Sequence, residues 1–148
     1  MKRPTVALIY DFDGTLSPAN MQEFGLLQAF DKDPALFWQK SNRMSTDNDA
    51  SEILCYMKTM TDEAKKAGIH LTRENFQKFG SMVKLYPGVK EWFSLINDYG
   101  SQCGLEVEHY INSSGLTEMI EGTEIYNEGK KVFGCSFLYE DGEAVWPG

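Results

Sequence analysis

The chain has 148 residues, 42% hydrophobic and 24% charged, a balance that excludes disordered and fibrous classes. With 14 basic against 22 acidic side chains its net charge is -8, which disfavours nucleic acid and anionic membranes as partners. No apolar run approaches the roughly 20 residues that span a bilayer, and the one near the N-terminus stops at Asp11, short of a secretory signal.

Thr5 to Tyr10 is an unbroken β-rich run, the pattern of a strand buried on both faces of a parallel sheet. It ends in Asp11-Phe12-Asp13-Gly14-Thr15-Leu16. From Ser17 to Leu85 the texture is helical: Met21, Phe24 and Leu27 first, then a helix opened by Asp33-Pro34 and holding Leu36 and Phe37. A longer helix is predicted from about Asp47, with Ile53, Leu54, Met57, Met60 and Ala64 on one stripe and Gly68 as its stop. Thr72 caps a further helix with Phe76 and Phe79. Tyr86-Pro87-Gly88 then turns into a helix carrying Val89, Trp92, Phe93 and Ile96, stopped at Gly100. Leu105 to Ile111 reads as a second strand ending in Asn112-Ser113-Ser114-Gly115, a strand-to-helix junction. From Lys131 to Trp146 two β-rich runs flank Glu140-Asp141-Gly142-Glu143, a hairpin signature. Cys55, Cys103 and Cys135 are odd in number and far apart, so they read as free thiols of a reducing cytoplasm.

Asp11 and Asp13 are the sharpest chemical signal. At a strand's carboxyl end, where ligands of open α/β sheets sit, a following glycine lets both carboxylates reach one crevice. Such a pair divides labour between nucleophile or metal ligand and proton donor, and its hard oxygens suit Mg²⁺. A surface turn is the plainer reading of Asp and Gly together; the apolar strand in front and Gly14-Thr15 behind favour the site. An EF-hand is excluded, since Leu16 and Gln22 stand where the loop needs glycine and glutamate. Asp47 and Asp49 read as first-turn acids of a helix, and Asp62-Glu63 with Lys65-Lys66 as a solvated helix end. Ser113 and Ser114 offer hydroxyls to a phosphoryl group, or else cap a helix.

DFDGT after an apolar strand, a helical insertion, the Tyr86-Pro87-Gly88-Val89 turn and a strand ending at Ser113 together resemble the haloacid dehalogenase-like superfamily. The resemblance implies a Rossmann-like α/β parallel-sheet core formed by residues 1–16 and 86–148, with 17–85 as a helical cap. It implies Asp11 as a nucleophile that becomes an aspartyl phosphate and Asp13 as acid and base. It further implies Mg²⁺ held by Asp11 and by the backbone of Asp13. The phosphoryl group would be cradled by Gly14, Thr15 and Ser113, or Ser114 after a one-residue shift. An acid at position 13 implies a phosphatase, or a phosphomutase, acting on a small phosphorylated substrate. The pattern also needs a later lysine and acidic pair. Lys130 and Lys131 lie in a polar stretch, and Glu140-Asp141 has a hairpin context. The expectation is therefore an incomplete core, truncated before those motifs. Such a chain would be weakly active or inactive, and its exposed sheet edges would favour self-association. The rival readings are a non-catalytic fragment or interaction module that keeps the fold, and a general metal- or phosphate-binding protein.

Overall fold

The computed structural model describes residues 3–148. Strand β1 (Thr5–Tyr10) lies parallel to β2 (Glu106–Leu116), which pairs on its other side in parallel with β3 (Lys131–Cys135). The sheet order is β1-β2-β3, so β2 is central and β1 and β3 are its edges. β1 has its expected limits but not its expected burial. Helix α5 (Val89–Gln102) packs on the sheet at β2, and the opposite face stays open: Ile9 is 68% and Phe133 48% exposed. An apolar run records what a strand can bury; only a second helical layer would have buried it.

On the covered face, polar groups stitch the sheet to α5. The Trp92 indole N–H donates to Tyr10 Oη at 2.9 Å. Tyr10 Oη meets Nδ1 of buried His109 at 2.9 Å, and His109 Nε2 meets Asn97 Oδ1 at 2.9 Å. Because an indole can only donate, the arrangement satisfying every atom has Tyr10 donating to Nδ1 and Nε2–H donating to Asn97. Burial lowers the imidazole pKa in keeping with that neutral ring. α5 runs two residues past Gly100, so that glycine is no stop. A Cβ there would sit 2.4 Å from Val107 Cγ2; its absence lets α5 close on β2.

Between β1 and α5 lies the helical layer. One turn, α1 (Leu26–Ala29), is followed by α2 (Pro34–Asn48), where Asp33 accepts from Ala35 N at 2.8 Å. Next come α3 (Glu52–Ala67) and α4 (Arg73–Gly80), capped by Ser51 and Thr72. Two readings are corrected here. Asp47 belongs to the last turn of α2, and Asp49 is that helix's left-handed C-cap; Ser51, whose hydroxyl accepts from Leu54 N, opens α3 instead. Glu63 is not solvated but 4% exposed, drawn in by Lys32, Lys40 and Lys66, with Lys40 Nζ at 2.5 Å.

Beyond β2, α6 (Thr117–Glu121) packs on α4. The approach is close enough that a Cβ on Gly80 would sit 1.9 Å from Met119 O, and one on Gly122 1.9 Å from Gln77 O. The expected hairpin forms as β4 (Phe137–Glu140) and β5 (Glu143–Pro147). Its turn residues Asp141 and Gly142 both take positive φ, 50° and 83°, as the tight hairpin turn requires. It packs against α3 and stacks Phe137 on Phe76 at 5.5 Å. Buried Glu118 anchors it, accepting from Ser136 Oγ, Phe137 N and Tyr139 Oη at 2.7, 3.0 and 3.0 Å. β3, which the sequence pattern folds into the hairpin, is a third parallel strand instead. All of these elements share one apolar core running from Phe12 through Met60 and Phe76 to Phe137.

Candidate active site

The tip of β1 is shaped by Phe12. Its side chain is fully buried and its carbonyl accepts from the backbone N–H of Thr15, Leu16 and Ser17 at 3.2, 2.9 and 3.1 Å. Gly14, at φ 77°, turns the chain and donates its own N–H to Ser17 O at 2.7 Å. Residues on either side of a buried Phe12 thus leave the core together. Asp11 emerges exposed, with Oδ1 accepting from Phe12 N at 2.8 Å. Asp13 is drawn inward and accepts from Met21 N at 2.9 Å through Oδ1. Burial pushes the Asp13 carboxyl up to about 6; the Met21 N–H opposes this, and the charges of Asp11 and Glu23 add to it.

Asp13 opens onto a cleft of about 210 Å³ between the β1 tip, the end of β2 and the helical layer. Ser114 and Gly115 line it from β2. Ser113 alternates to the buried side, 9% exposed, where Oγ accepts from Gly115 N at 2.9 Å and keeps its own proton to give. The structure thus brings Asp13 and Ser114 into one cleft. Asp11, Gly14 and Thr15 lie at the loop outside its lining, and Gly14 and Thr15 already spend their backbone N–H groups within the loop. The stretch Asn112 to Gly115 is not a strand-to-helix turn. β2 continues through it to Leu116, where α6 begins without a side-chain cap, so neither serine caps a helix. Close packing on Met21, which leaves no room for a Cβ at Gly115, holds this segment extended.

The opposite wall comes from the helical layer and was not legible as a site. Tyr56 of α3 donates its phenol to Ser114 O at 2.8 Å and lies edge-on to Trp38. Trp38 Nε1 and Asn20 Nδ2 both donate to Glu23 Oε1, at 2.9 and 2.8 Å. Gln22, Ser41, Asn42 and Glu52 complete the polar lining. These residues sit within helical stripes and turns whose spacing sets none of them apart; only the packing of α2 and α3 over the β1 tip collects them. Lys130 pairs with Glu108 and Lys131 lies over the Phe133 ring; neither lines the cleft. Glu140 and Asp141 lie at the hairpin end. Among the described residues no three His, Cys, Asp or Glu side chains form a metal cage. All three cysteines are free.

The sequence matches no protein-family model. It is 27% identical over 144 residues to an uncharacterized protein of Borreliella burgdorferi, a match covering 90% of this chain and 50% of that protein. Among solved structures, a HAD family hydrolase from Salmonella enterica serovar Typhi superposes with a TM-score of 0.63 at 12% identity. That alignment covers 97% of this chain and 45% of the hydrolase. A phosphoserine phosphatase solved as a phospho-aspartyl intermediate analogue gives 0.61 at 13% identity, covering 96% of this chain and 61% of the enzyme. The phosphoserine phosphatase of T. onnurineus gives 0.58 at 13%, covering 98% and 64%. These define the class: an α/β protein with the haloacid dehalogenase-like fold, as found in phosphatases. The chain itself spans about half the length of the curated protein it matches. No helix of the described residues is long and apolar enough to cross a membrane.

Proposed function

We propose that this site hydrolyses phosphate monoesters of small molecules through an aspartyl phosphate on Asp11, with residues 17–85 acting as a cap over the core. The observation that carries the reading is the unequal setting of two neighbouring carboxylates, Asp11 exposed and Asp13 raised to about 6 inside a cleft. In the first half-reaction an Asp11 oxygen bonds to phosphorus, the ester P–O bond breaks, and Asp13 gives its proton to the leaving oxygen. In the second, water attacks phosphorus and passes a proton to Asp13, and the phosphorus–Asp11 bond breaks to release inorganic phosphate. A carboxyl near 6 can serve in both directions close to neutral pH.

The phosphoryl group would be met by the Ser113 hydroxyl, or by that of Ser114 after a one-residue shift, and by the loop at Gly14 and Thr15. Mg²⁺ would be held by the Asp11 carboxylate and the Asp13 carbonyl, hard oxygen donors that suit a cation retaining several waters. Bound there, it would neutralise phosphoryl charge. Turnover by these 148 residues is expected to be weak, because among the described residues no cationic side chain lines the cleft to offset developing charge. The three free thiols favour a reducing, cytoplasmic setting. The open edge of β1 and the bare face at Ile9 and Phe133 favour self-association.

The test is thermal melting with beryllofluoride and Mg²⁺, which mimic the aspartyl phosphate. The wild-type chain should melt at a higher temperature and the Asp11→Asn variant should not respond. An unmoved wild-type transition overturns the reading.

A further inference from the structure

The cleft lining carries two acids, Asp13 from the β1 tip and Glu52 from the cap, with the amides of Asn20, Gln22 and Asn42, and among the described residues no Lys, Arg or His lines it. Gln22 is only 2% exposed, yet its Oε1 has no hydrogen-bond partner. A buried, orphaned acceptor is costly until a donor reaches it. Several donors on the same wall are already spent: Trp38 Nε1 and Asn20 Nδ2 on Glu23, and the Tyr56 phenol on Ser114 O. Glu52 has no ion-pair partner among the described residues, although it stands in the first turn of α3 facing this space.

We propose that this cleft selects phosphate esters of compact amino alcohols, with Gln22 and Glu52 as the specificity-determining residues, and rejects esters whose alcohol carries its own carboxylate. The inference rests on the phosphate-monoester reading above and adds the leaving group to it. A protonated amine brings three N–H donors and one positive charge to a wall offering an orphaned amide oxygen and an unpaired carboxylate. A carboxylate in the same place would lose water beside the Glu52 carboxylate, with no cationic side chain among the described lining residues to replace it. At about 210 Å³ the cleft takes a compact ligand.

O-phosphoserine and O-phosphoethanolamine isolate this charge, since they differ by one carboxylate. The measurement is calorimetric titration of the full 148-residue chain with Mg²⁺, as Asp11→Asn so that the esters stay intact. Phosphoethanolamine should bind at least about tenfold more tightly than phosphoserine, the scale of one unpaired charge contact. Glu52→Gln, an isosteric change at an exposed position, should shrink that ratio at least about threefold, and Gln22→Met should weaken phosphoethanolamine binding. Phosphoserine binding as tightly or more tightly overturns the inference. So does absence of binding by both esters, or a ratio that neither substitution moves. Should wild-type melting still respond to beryllofluoride, only the leaving-group assignment has failed; loss of that response removes the underlying reading as well.

Discussion

The helical layer and the sheet treat their apolar residues in opposite ways. In α3, Tyr56, Met57, Met60 and Ala64 form a stripe that is almost wholly buried against neighbouring helices and the hairpin. In β1, a run just as apolar leaves Ile9 68% exposed, because α5 covers one face and nothing among the described residues covers the other. A helix meets its partners along one stripe, so its pattern predicts most of its burial: Met57, Met60 and Ala64 are buried as expected, whereas Leu54, expected on the same stripe, is 52% exposed. A strand has two faces and two edges, and its composition does not say how many of them are covered.

Four substitutions sharpen that contrast, the largest first. Gly80→Ala drives a methyl group into the Met119 carbonyl at the α4–α6 contact, where backbone would have to move. It should cost upwards of about 4 kcal/mol in urea unfolding, or leave the chain unfolded. Met60→Ala empties a site with no exposure and should lower stability by about 3 kcal/mol in the same assay.

Asp13→Asn should act in the other direction. The folded chain keeps the Asp13 proton up to about pH 6, whereas the unfolded chain gives it up near the ordinary value of 3.8. Wild-type stability therefore falls as pH rises between those values and stays reduced above them. The amide removes the penalty while still accepting from Met21 N, so the variant should be more stable at pH 7 by about 1–2 kcal/mol, and equal to wild type below pH 4. An unchanged pH profile would show that the cleft does not hold this carboxyl neutral. Last, Ile9→Thr on the open sheet face should shift stability by less than about 0.5 kcal/mol; a loss like that at Met60 would mean the face is covered in solution.

The legible parts of the fold are those where one residue type has one local use. Asp33 and Thr72 cap helices, Asp141-Gly142 makes a tight turn, and Asp11 ends an apolar strand at its observed limit. The pair Asp11 and Asp13 stands out because an apolar strand runs into it and Gly14-Thr15 follow it. Misread segments are those where packing overrode local preference. Asn112 to Gly115 are turn formers one by one, yet they run on as part of β2: Asn112 and Leu116 both pair with β3, the register shifts between them, and Gly115 packs on Met21. Lys131–Cys135 falls in the stretch that the Glu140–Glu143 turn signature marks as a hairpin, although its partner β2 lies upstream across α6. Glu63 carries a helix-surface charge that three lysines from different segments turn inward. The cleft's second wall belongs to the same group, since no local rule brings Gln22 and Glu52 together.

Tyr56 makes its hydrogen bond across the boundary between the two layers, to a carbonyl beside the residues that would grip phosphate. Any motion that swung α3 away from β2 would have to break that bond. Burial raises the phenol's pKa above its ordinary value, so the donor keeps its proton and the tie between the layers should be indifferent to pH across the physiological range.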